Sequence, residues 1–432
     1  MNPLPDIYTL RNSEIERIQG DLLRETVEYA TAASPYYRER LSWPQGRPSP
    51  VRGLADLKDL PLTSREEVQH RNRDFWAVSA NRIVEIVATT GTTGEPVYVP
   101  MTGDDVERLA ENERRGFEWL GARPGDRYHI AVTLDNLFVA GMAYHLGLHR
   151  IGASAIRVGA QSTMRHLDLM WHLRPDGMVS VPSLLLTLAR QAKKEGLDLR
   201  EFEPGKFLLI GDAIRGQDLE LNTLGRLLAE AWNGEMHSTY GLTEAGLAFH
   251  ECPEHRGLHS HPDFILCEIV DEEGRSLPSG EEGELVITTL QIQGMPLLRY
   301  QTGDVTFLVP DDCPCGRSGT RIGPILGRKQ HRLKIKGTTL YPKVIENALL
   351  SVEGVENFII EAHTGREGTD HVVVRVGTYR KNHSFREIVN DTIYSRARVN
   401  PEVRLEKPGG IEKLLYEGGR RKPVKFVDFR KS

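Results

Sequence analysis

Strand-like apolar runs at residues 128–134, 153–158, 177–181, 207–210 and 236–239 alternate with helix-like stretches at 138–149, 164–173, 183–195 and 218–232. No other feature of the chain constrains its fold as much. Each helix has to carry the chain back across a sheet face before the next strand begins, so the strands must run parallel. An α/β domain is therefore expected, with helices covering a parallel sheet. Ligands in such sheets sit beyond the carboxyl ends of the strands. Two of those ends are chemically marked, Gly211-Asp212-Ala213 and Tyr240-Gly241-Leu242-Thr243-Glu244.

On either side of this block the texture differs. Residues 12–33 place apolar side chains at helical spacing, Thr63-Ser64-Arg65-Glu66-Glu67 has the form of a capped helix start, and 104–120 is a polar-faced helix. From 264 onward short β runs take over at 265–270, 283–289 and 306–309, a β-rich subdomain spanning 264–326. After Gly327 come basic Arg328-Lys329-Gln330-His331-Arg332-Leu333-Lys334, a helix at 342–350, strands at 357–362 and 371–377, a helix at 385–397 and a basic tail. Two domains are expected: a large N-terminal one, 1–327, and a small mobile α+β one, 328–432, joined by a short polar hinge.

Composition narrows the function classes. With 432 residues and a net charge of −5, no basic field prepares the chain for nucleic acid or an anionic membrane. No apolar run reaches transmembrane length, and Met1-Asn2-Pro3-Leu4-Pro5-Asp6 has no signal-peptide pattern. A cytoplasmic enzyme is expected, monomer or homodimer. Four cysteines are too few for a disulfide framework. Cys313-Pro314-Cys315 can present two thiolates to one metal ion, or can be a plain turn with free thiols.

Between the runs 83–88 and 97–100 lies Thr89-Thr90-Gly91-Thr92-Thr93-Gly94-Glu95-Pro96. Glycine lets the backbone approach closely, and N–H and O–H groups donate to anionic oxygens, so the loop suits a polyphosphate. It is not a Walker A loop. That motif needs Gly-Lys-Ser/Thr opening a helix, whereas Glu95-Pro96 leads into extended Val97-Tyr98-Val99. On this stretch alone an ordinary Gly/Thr hairpin fits as well.

Taken in order, Thr89-Thr90-Gly91-Thr92-Thr93-Gly94-x-Pro96, Tyr240-Gly241-Leu242-Thr243-Glu244, Arg299-Tyr300-Gln301-Thr302-Gly303-Asp304 and Gly327-Arg328 resemble four motifs of the adenylate-forming (ANL) superfamily: its phosphate loop, its Tyr-Gly-x-Thr-Glu and Arg-Tyr-x-Thr-Gly-Asp segments and its hinge. Pro35-Tyr36-Tyr37-Arg38-Glu39-Arg40-Leu41, Leu137-Phe138-Val139-Ala140-Gly141 and Cys313-Pro314-Cys315-Gly316-Arg317 resemble the phenylacetate–CoA ligase and coenzyme F390 synthetase branch. Coverage runs over residues 21–428. The resemblance implies two half-reactions. A carboxylate attacks the α-phosphorus of ATP to give acyl-AMP and pyrophosphate, and a thiol then displaces AMP. For this branch it implies an AMP-forming acid–thiol ligase acting on an aromatic acid and coenzyme A. Alternatives are transfer to a carrier-protein thiol or an amine, AMP transfer as in F390 synthesis, or a non-catalytic nucleotide-binding paralogue. The last is motivated by Glu95, where the branch often has Lys, and by Lys329-Gln330-His331 in place of the common Ser-Asp-Asp.

The same resemblance implies residue roles. Thr89, Thr90, Thr92 and Thr93 with Gly91 and Gly94 would hold the β- and γ-phosphates. Tyr240 and Gly241 would meet adenine, with Gly211, Asp212 and Ala213 lining its pocket; Thr243 would contact the α-phosphate and Glu244 would hold Mg²⁺. Asp304, an acceptor-only carboxylate, would grip the ribose hydroxyls together with Arg328, although alone it also reads as a turn residue after Gly303. Lys422 aligns with the adenylation lysine. Lys425 is the other candidate, and both also fit a solvated basic tail. Gln330 takes the hinge position. Cys252, His259, Cys313 and Cys315 fit a Cys-x6-His and Cys-x-Cys pattern implying structural zinc, with His255 or His261 able to replace His259. For the acyl pocket, Asp135 and Asn136 would form a polar edge, and Phe138, Met142, Tyr144, Ala245 and Gly246 an apolar wall. A polar edge suits an aryl acid bearing a hydroxyl or amino group. Phe138 and Met142 also suit the core face of a helix.

Overall fold

The structure is a computed structural model and describes residues 7–41, 51–89, 95–202, 204–335, 337–365, 369–417 and 423–430. It divides into two compact units, Met1–Glu220 with Gly225–Ile325, and Leu221–Leu224 with Leu326–Ser432.

In the first unit the strand-helix alternation forms a parallel array in the order Glu235–Leu242, Lys206–Ile210, Gly177–Ser180, Arg127–Ile130, Ser154–Arg157. The first strand of the array, Arg127–Ile130, lies between the second and the third. The chain therefore reverses its direction of travel across the sheet there, leaving a crevice at the strand ends. All residues of Gly177–Ser180 are buried, as expected of a strand covered on both faces. The helix expected at 218–232 is shorter, Thr223–Ala231. The Asp218 carboxylate accepts from the Glu220 N–H at 3.1 Å and Leu219 is left-handed at φ 66°, so a turn occupies the preceding residues.

Three antiparallel strands, Leu247–Glu251, Leu258–His259 and Arg321–Ile322, extend the sheet beyond the expected parallel block. Tyr240, Gly241 and Leu242 pair with Phe249, Ala248 and Leu247, so the strand expected to stop at 239 runs on through the Tyr-Gly-Leu motif. The β-rich part is an antiparallel set, Ile265–Val270, Gly283–Thr289 and Tyr300–Thr306. Its third strand ends where the expected 306–309 run was to begin, because the Arg-Tyr-x-Thr-Gly-Asp motif is itself paired, Tyr300 with Ile287 and Gln301 with Val286. A hairpin, Glu85–Ala88 with Tyr98–Met101, brackets the Thr/Gly loop. Leu23, Val27, Phe75, Leu109, Phe249 and Leu266 belong to one apolar core of this unit, and Phe117, Tyr128, Ile130, Leu148 and Leu208 to another.

The second unit carries a ribbon, Leu333–Ile335 with Thr338–Leu340, and a mixed sheet in the order Glu402–Glu406, Asp370–Gly377, Asn357–Thr364, Phe426–Asp428. Ile345, Ile360, Val374, Phe385 and Val389 form its core. The basic tail is in part an edge strand, Phe426–Asp428. Pro408 opens a further helix, Pro408–Leu415, as its fixed φ permits, despite Gly409 and Gly410. Among the described residues no helix is long and apolar enough to cross a membrane.

Candidate active site

The marked segments gather at the carboxyl ends of the parallel strands. Gly211 follows Lys206–Ile210 at φ 91°, a left-handed conformation that glycine adopts without strain, with Asp212 and Ala213 half-buried after it. At the end of Glu235–Leu242, Thr243 is half-buried and Glu244 is buried. Tyr300 Oη donates to Glu244 Oε1 at 3.1 Å, and Arg65 Nη1 lies 4.0 Å from the same oxygen. One residue pair further along, Tyr240 Oη donates to Asp304 Oδ2 at 2.7 Å. Asp304 is fixed from its own backbone. Its N–H donates to Thr302 Oγ1 at 3.1 Å, and the Thr302 hydroxyl donates to the Leu285 carbonyl at 2.8 Å. Gly303 bends the strand at φ 75°, its N–H reaching Glu284 Oε1 at 3.1 Å.

Burial pushes both phenols well above the ordinary tyrosine range, and the Asp304 charge beside Tyr240 and the Glu244 charge beside Tyr300 add to it. At neutral pH both therefore stay protonated donors. Arg299, read from sequence only as part of a motif, forks onto Glu268 with two bonds of 3.0 Å. It also donates to the carbonyls of Lys58 at 2.9 Å and Leu60 at 2.8 Å, tying the segment before Thr63 to the strand that carries Tyr300 and Asp304. Tyr300, Arg65, Thr302 and Arg299 were given no role in the sequence, since only the pairing of distant strands brings them to the site.

Of the Thr/Gly loop, Thr90, Gly91, Thr92, Thr93 and Gly94 lie outside the described residues. Thr89 closes the loop's mouth: its Oγ1 accepts from the Val97 N–H at 3.0 Å. Glu95 is exposed, and its carbonyl accepts from Gln69 Nε2 at 3.0 Å.

The structure brings together some of the expected acyl-pocket residues and not others. Asp135 and Asn136 are exposed, with Asn136 left-handed at φ 60°, so they do not form a buried polar edge. Met142 packs against the main core. The carbonyls of Ala245 and Gly246 accept from buried Arg108 at 3.5 and 3.2 Å. Phe138 and Tyr144 do line a cavity of about 50 Å³, together with Ile210, Gly241, Leu242 and Thr243. The same cavity is lined by Glu113, for which no role was legible in the sequence.

The cysteine expectation converges on one point. Ligand atoms of Cys252, His259, Cys313 and Cys315 all lie within 4.8 Å of one another. Cys252 Sγ is 3.6 Å from Cys313 Sγ, and Cys315 Sγ is 3.6 Å from His259 Nε2. A tetrahedron with Zn–S of about 2.3 Å and Zn–N of about 2.05 Å has edges of roughly 3.5–3.8 Å, so the donor set fits that ion. The competing histidines have other partners. His261 Nδ1 meets the Tyr8 hydroxyl, and His255 Nδ1 lies 3.2 Å from Glu251 Oε2. His237, Glu251 and His255 also converge, but Glu251 is held by Arg215 Nε at 2.8 Å and the Ser238 N–H at 2.9 Å.

In the second unit Arg328 ends the short strand Gly327–Arg328 and Gln330 is exposed in the turn Lys329–His331. Arg430 ties this turn down, donating to the carbonyls of Gln330 at 3.0 Å and Arg332 at 2.7 Å. Lys425 Nζ is 3.9 Å from Glu346 Oε2. Lys422 lies outside the described residues.

Residues 28–293 match the family model for AMP-binding enzymes, and the chain belongs to that family of adenylate-forming proteins. Within it the chain belongs with the phenylacetate–CoA ligases and is an AMP-forming acid–CoA ligase. It is 32% identical to phenylacetate–coenzyme A ligase of Thermus thermophilus, with 99% of each chain covered. With the Escherichia coli enzyme of the same name it shares 30% identity over 81% of this chain and 79% of that one. The crystal structure of 2-hydroxyisobutyryl-CoA ligase bound to 2-HIB-AMP has the same fold, with TM-score 0.84 at 22% identity over 99% of this chain and 94% of that one.

Proposed function

We propose that the acid this ligase activates is aromatic, that it proceeds through the acyl-adenylate, and that coenzyme A is the acceptor. The observation that carries the reading is the pairing of two buried carboxylates with two phenolic donors, Glu244 with Tyr300 and Asp304 with Tyr240, at the strand ends beside an apolar cavity. Asp304 presents an acceptor to the ribose hydroxyls, its position fixed by Thr302 and by Tyr240, whose ring then serves as a wall for adenine. Glu244 would hold a magnesium ion, which neutralises phosphate charge. Gly211, Asp212, Ala213 and Gly241 border the nucleotide, and Thr243 faces both the α-phosphate and the acyl cavity. The Thr/Gly loop supplies donors to the leaving pyrophosphate. Arg328 and Gln330 act from the hinge of the second unit. Lys422 supplies the cation for adenylation, with Lys425, 3.9 Å from Glu346 Oε2, the other candidate.

Support for an aromatic acid comes from the phenylacetate–CoA ligase relatives and from Phe138 and Tyr144 in the cavity. A second reading, a short aliphatic acid, is favoured by cavity size, since about 50 Å³ is well below the roughly 150 Å³ that admits benzene. The Cys252, His259, Cys313 and Cys315 cluster is proposed as a closed structural zinc site. ATP–pyrophosphate exchange across a panel of aryl and short acids tests the proposal. Exchange with an aryl acid, lost in Lys422→Ala, is expected. Exchange with short acids alone would favour the second reading, and exchange that survives the substitution would remove Lys422 from the mechanism.

A further inference from the structure

Glu113 stands out in the acyl cavity. It lies on the helix Gly103–Trp119 and lines a space walled mostly by apolar side chains, Leu109, Ala143, Tyr144 and Leu247 among them, with Thr243. It is 2% exposed, and its Oε2 meets Nε2 of His250, a ring with no exposure at all, at 3.1 Å. A carboxylate placed in such a cavity carries a large desolvation cost, which one partner offsets only in part. Two glycines let the chain pack closely around the pair. A Cβ on Gly147 would fall 2.5 Å from Glu113 Cβ, and one on Gly116 would fall 2.4 Å from the His250 ring. Both glycines sit inside helices, Val139–Ile151 and Gly103–Trp119, where only proline is less favourable. Neither has a positive φ, so backbone conformation does not call for glycine at either position; at Gly116 the His250 ring does, and at Gly147 the close approach of the two helices beside Glu113 does.

We infer that Glu113 reads the acyl group: the acid accepted by this ligase bears a hydrogen-bond donor, a hydroxyl or amino group, on the part that enters the cavity, and Glu113 accepts from it. This rests on the acid–CoA ligase reading above and names the substrate class for the same pocket. An ionised carboxylate has only acceptor sites, and with Oε2 facing His250 it retains capacity for a second donor. The His250 contact holds one carboxylate oxygen of a residue that lines the cavity. A site built to bond a donor rejects the analogue that lacks one, because the buried acceptor is then left unpaired.

The test compares matched acids with the intact protein: phenylacetate against hydroxy- and aminophenylacetates, and isobutyrate against its 3-hydroxy derivative. The readout is kcat/KM for AMP release with saturating ATP and coenzyme A. The wild type is expected to favour the donor-bearing member of at least one pair by about tenfold or more, the range of a hydrogen bond to a charged group. Glu113→Leu should collapse that ratio, and Glu113→Gln, which keeps the shape, should reduce it. An active wild type with no preference in either pair would overturn the inference without any variant, as would a preference unchanged in both variants. No AMP release from any acid would instead remove the ligase reading on which the inference stands.

Discussion

Arg299 shows how much one side chain of the site holds in place. It is 5% exposed, and removing its guanidinium would leave the largely buried Glu268 charge with the Ser276 hydroxyl as donor in place of a two-bond fork, and strip two carbonyls of their donor. Arg299→Ala is expected to destabilise the protein by about 3–5 kcal/mol, read from the urea midpoint. A loss below about 1 kcal/mol would show that solvent replaces these bonds. Asp304→Asn keeps the shape but gives up the charged acceptor. It should weaken AMP binding by about tenfold to a hundredfold in calorimetry while leaving circular dichroism unchanged; unaltered affinity would remove Asp304 from the nucleotide site. At this scale the sequence was legible where a short motif marks a strand end, as for the positions of Glu244 and Asp304. It was not legible where function depends on what lies across the fold. Tyr300 is 56 residues from Glu244, and Glu113 is 137 from His250. The carboxylate that lines the cavity, Glu113, comes from an earlier helix than the polar edge read at Asp135 and Asn136, which are exposed.

Among the elements, the parallel strands were legible because buried strands are apolar and separated by helices of recognisable period. The short strands Leu258–His259, Arg321–Ile322 and Phe426–Asp428 were not, since two or three paired residues carry no periodicity and owe their state to the strands beside them. The short strands Leu258–His259 and Arg321–Ile322 pair with each other, and the first carries His259. If the cysteine cluster holds zinc as proposed, protein grown with zinc should contain one ion per chain by elemental analysis. Chelation should lower Tm, and Cys313→Ser should abolish the ion; metal-free protein with unchanged Tm would contradict this.

A second element-scale prediction concerns acid. His129, on the strand Arg127–Ile130, and His166, on the helix Thr163–Leu173, face each other at 2.9 Å with no exposure. Burial, and for His129 the charge of His166, depress them to about 3 and about 4. Below about pH 6.5 the unfolded chain binds protons that the folded one refuses. The stability is therefore complete above that pH and lost as pH falls toward 4, at about 1.4 kcal/mol per unit for each histidine once the unfolded form is protonated. His129→Gln should flatten the fall in Tm between pH 6.5 and 4.5; an unchanged slope would place the acid sensitivity elsewhere.

At the scale of the whole molecule, each side chain described has meaning only if the two half-reactions occur on this chain. The ordered motifs made the family legible from sequence, because each carries a function that tolerates few residue types. The acid was less legible, since pocket shape arises from helices packed over the sheet rather than from any one segment. The most direct test is to incubate the protein with ATP, magnesium, coenzyme A and the preferred acid, and to quantify AMP and acyl-CoA together. AMP and thioester should appear in equal amounts, with AMP release falling to a single turnover or less when coenzyme A is withheld. Steady AMP release without thioester, or no AMP at all from any acid while ATP still binds, would contradict the assignment.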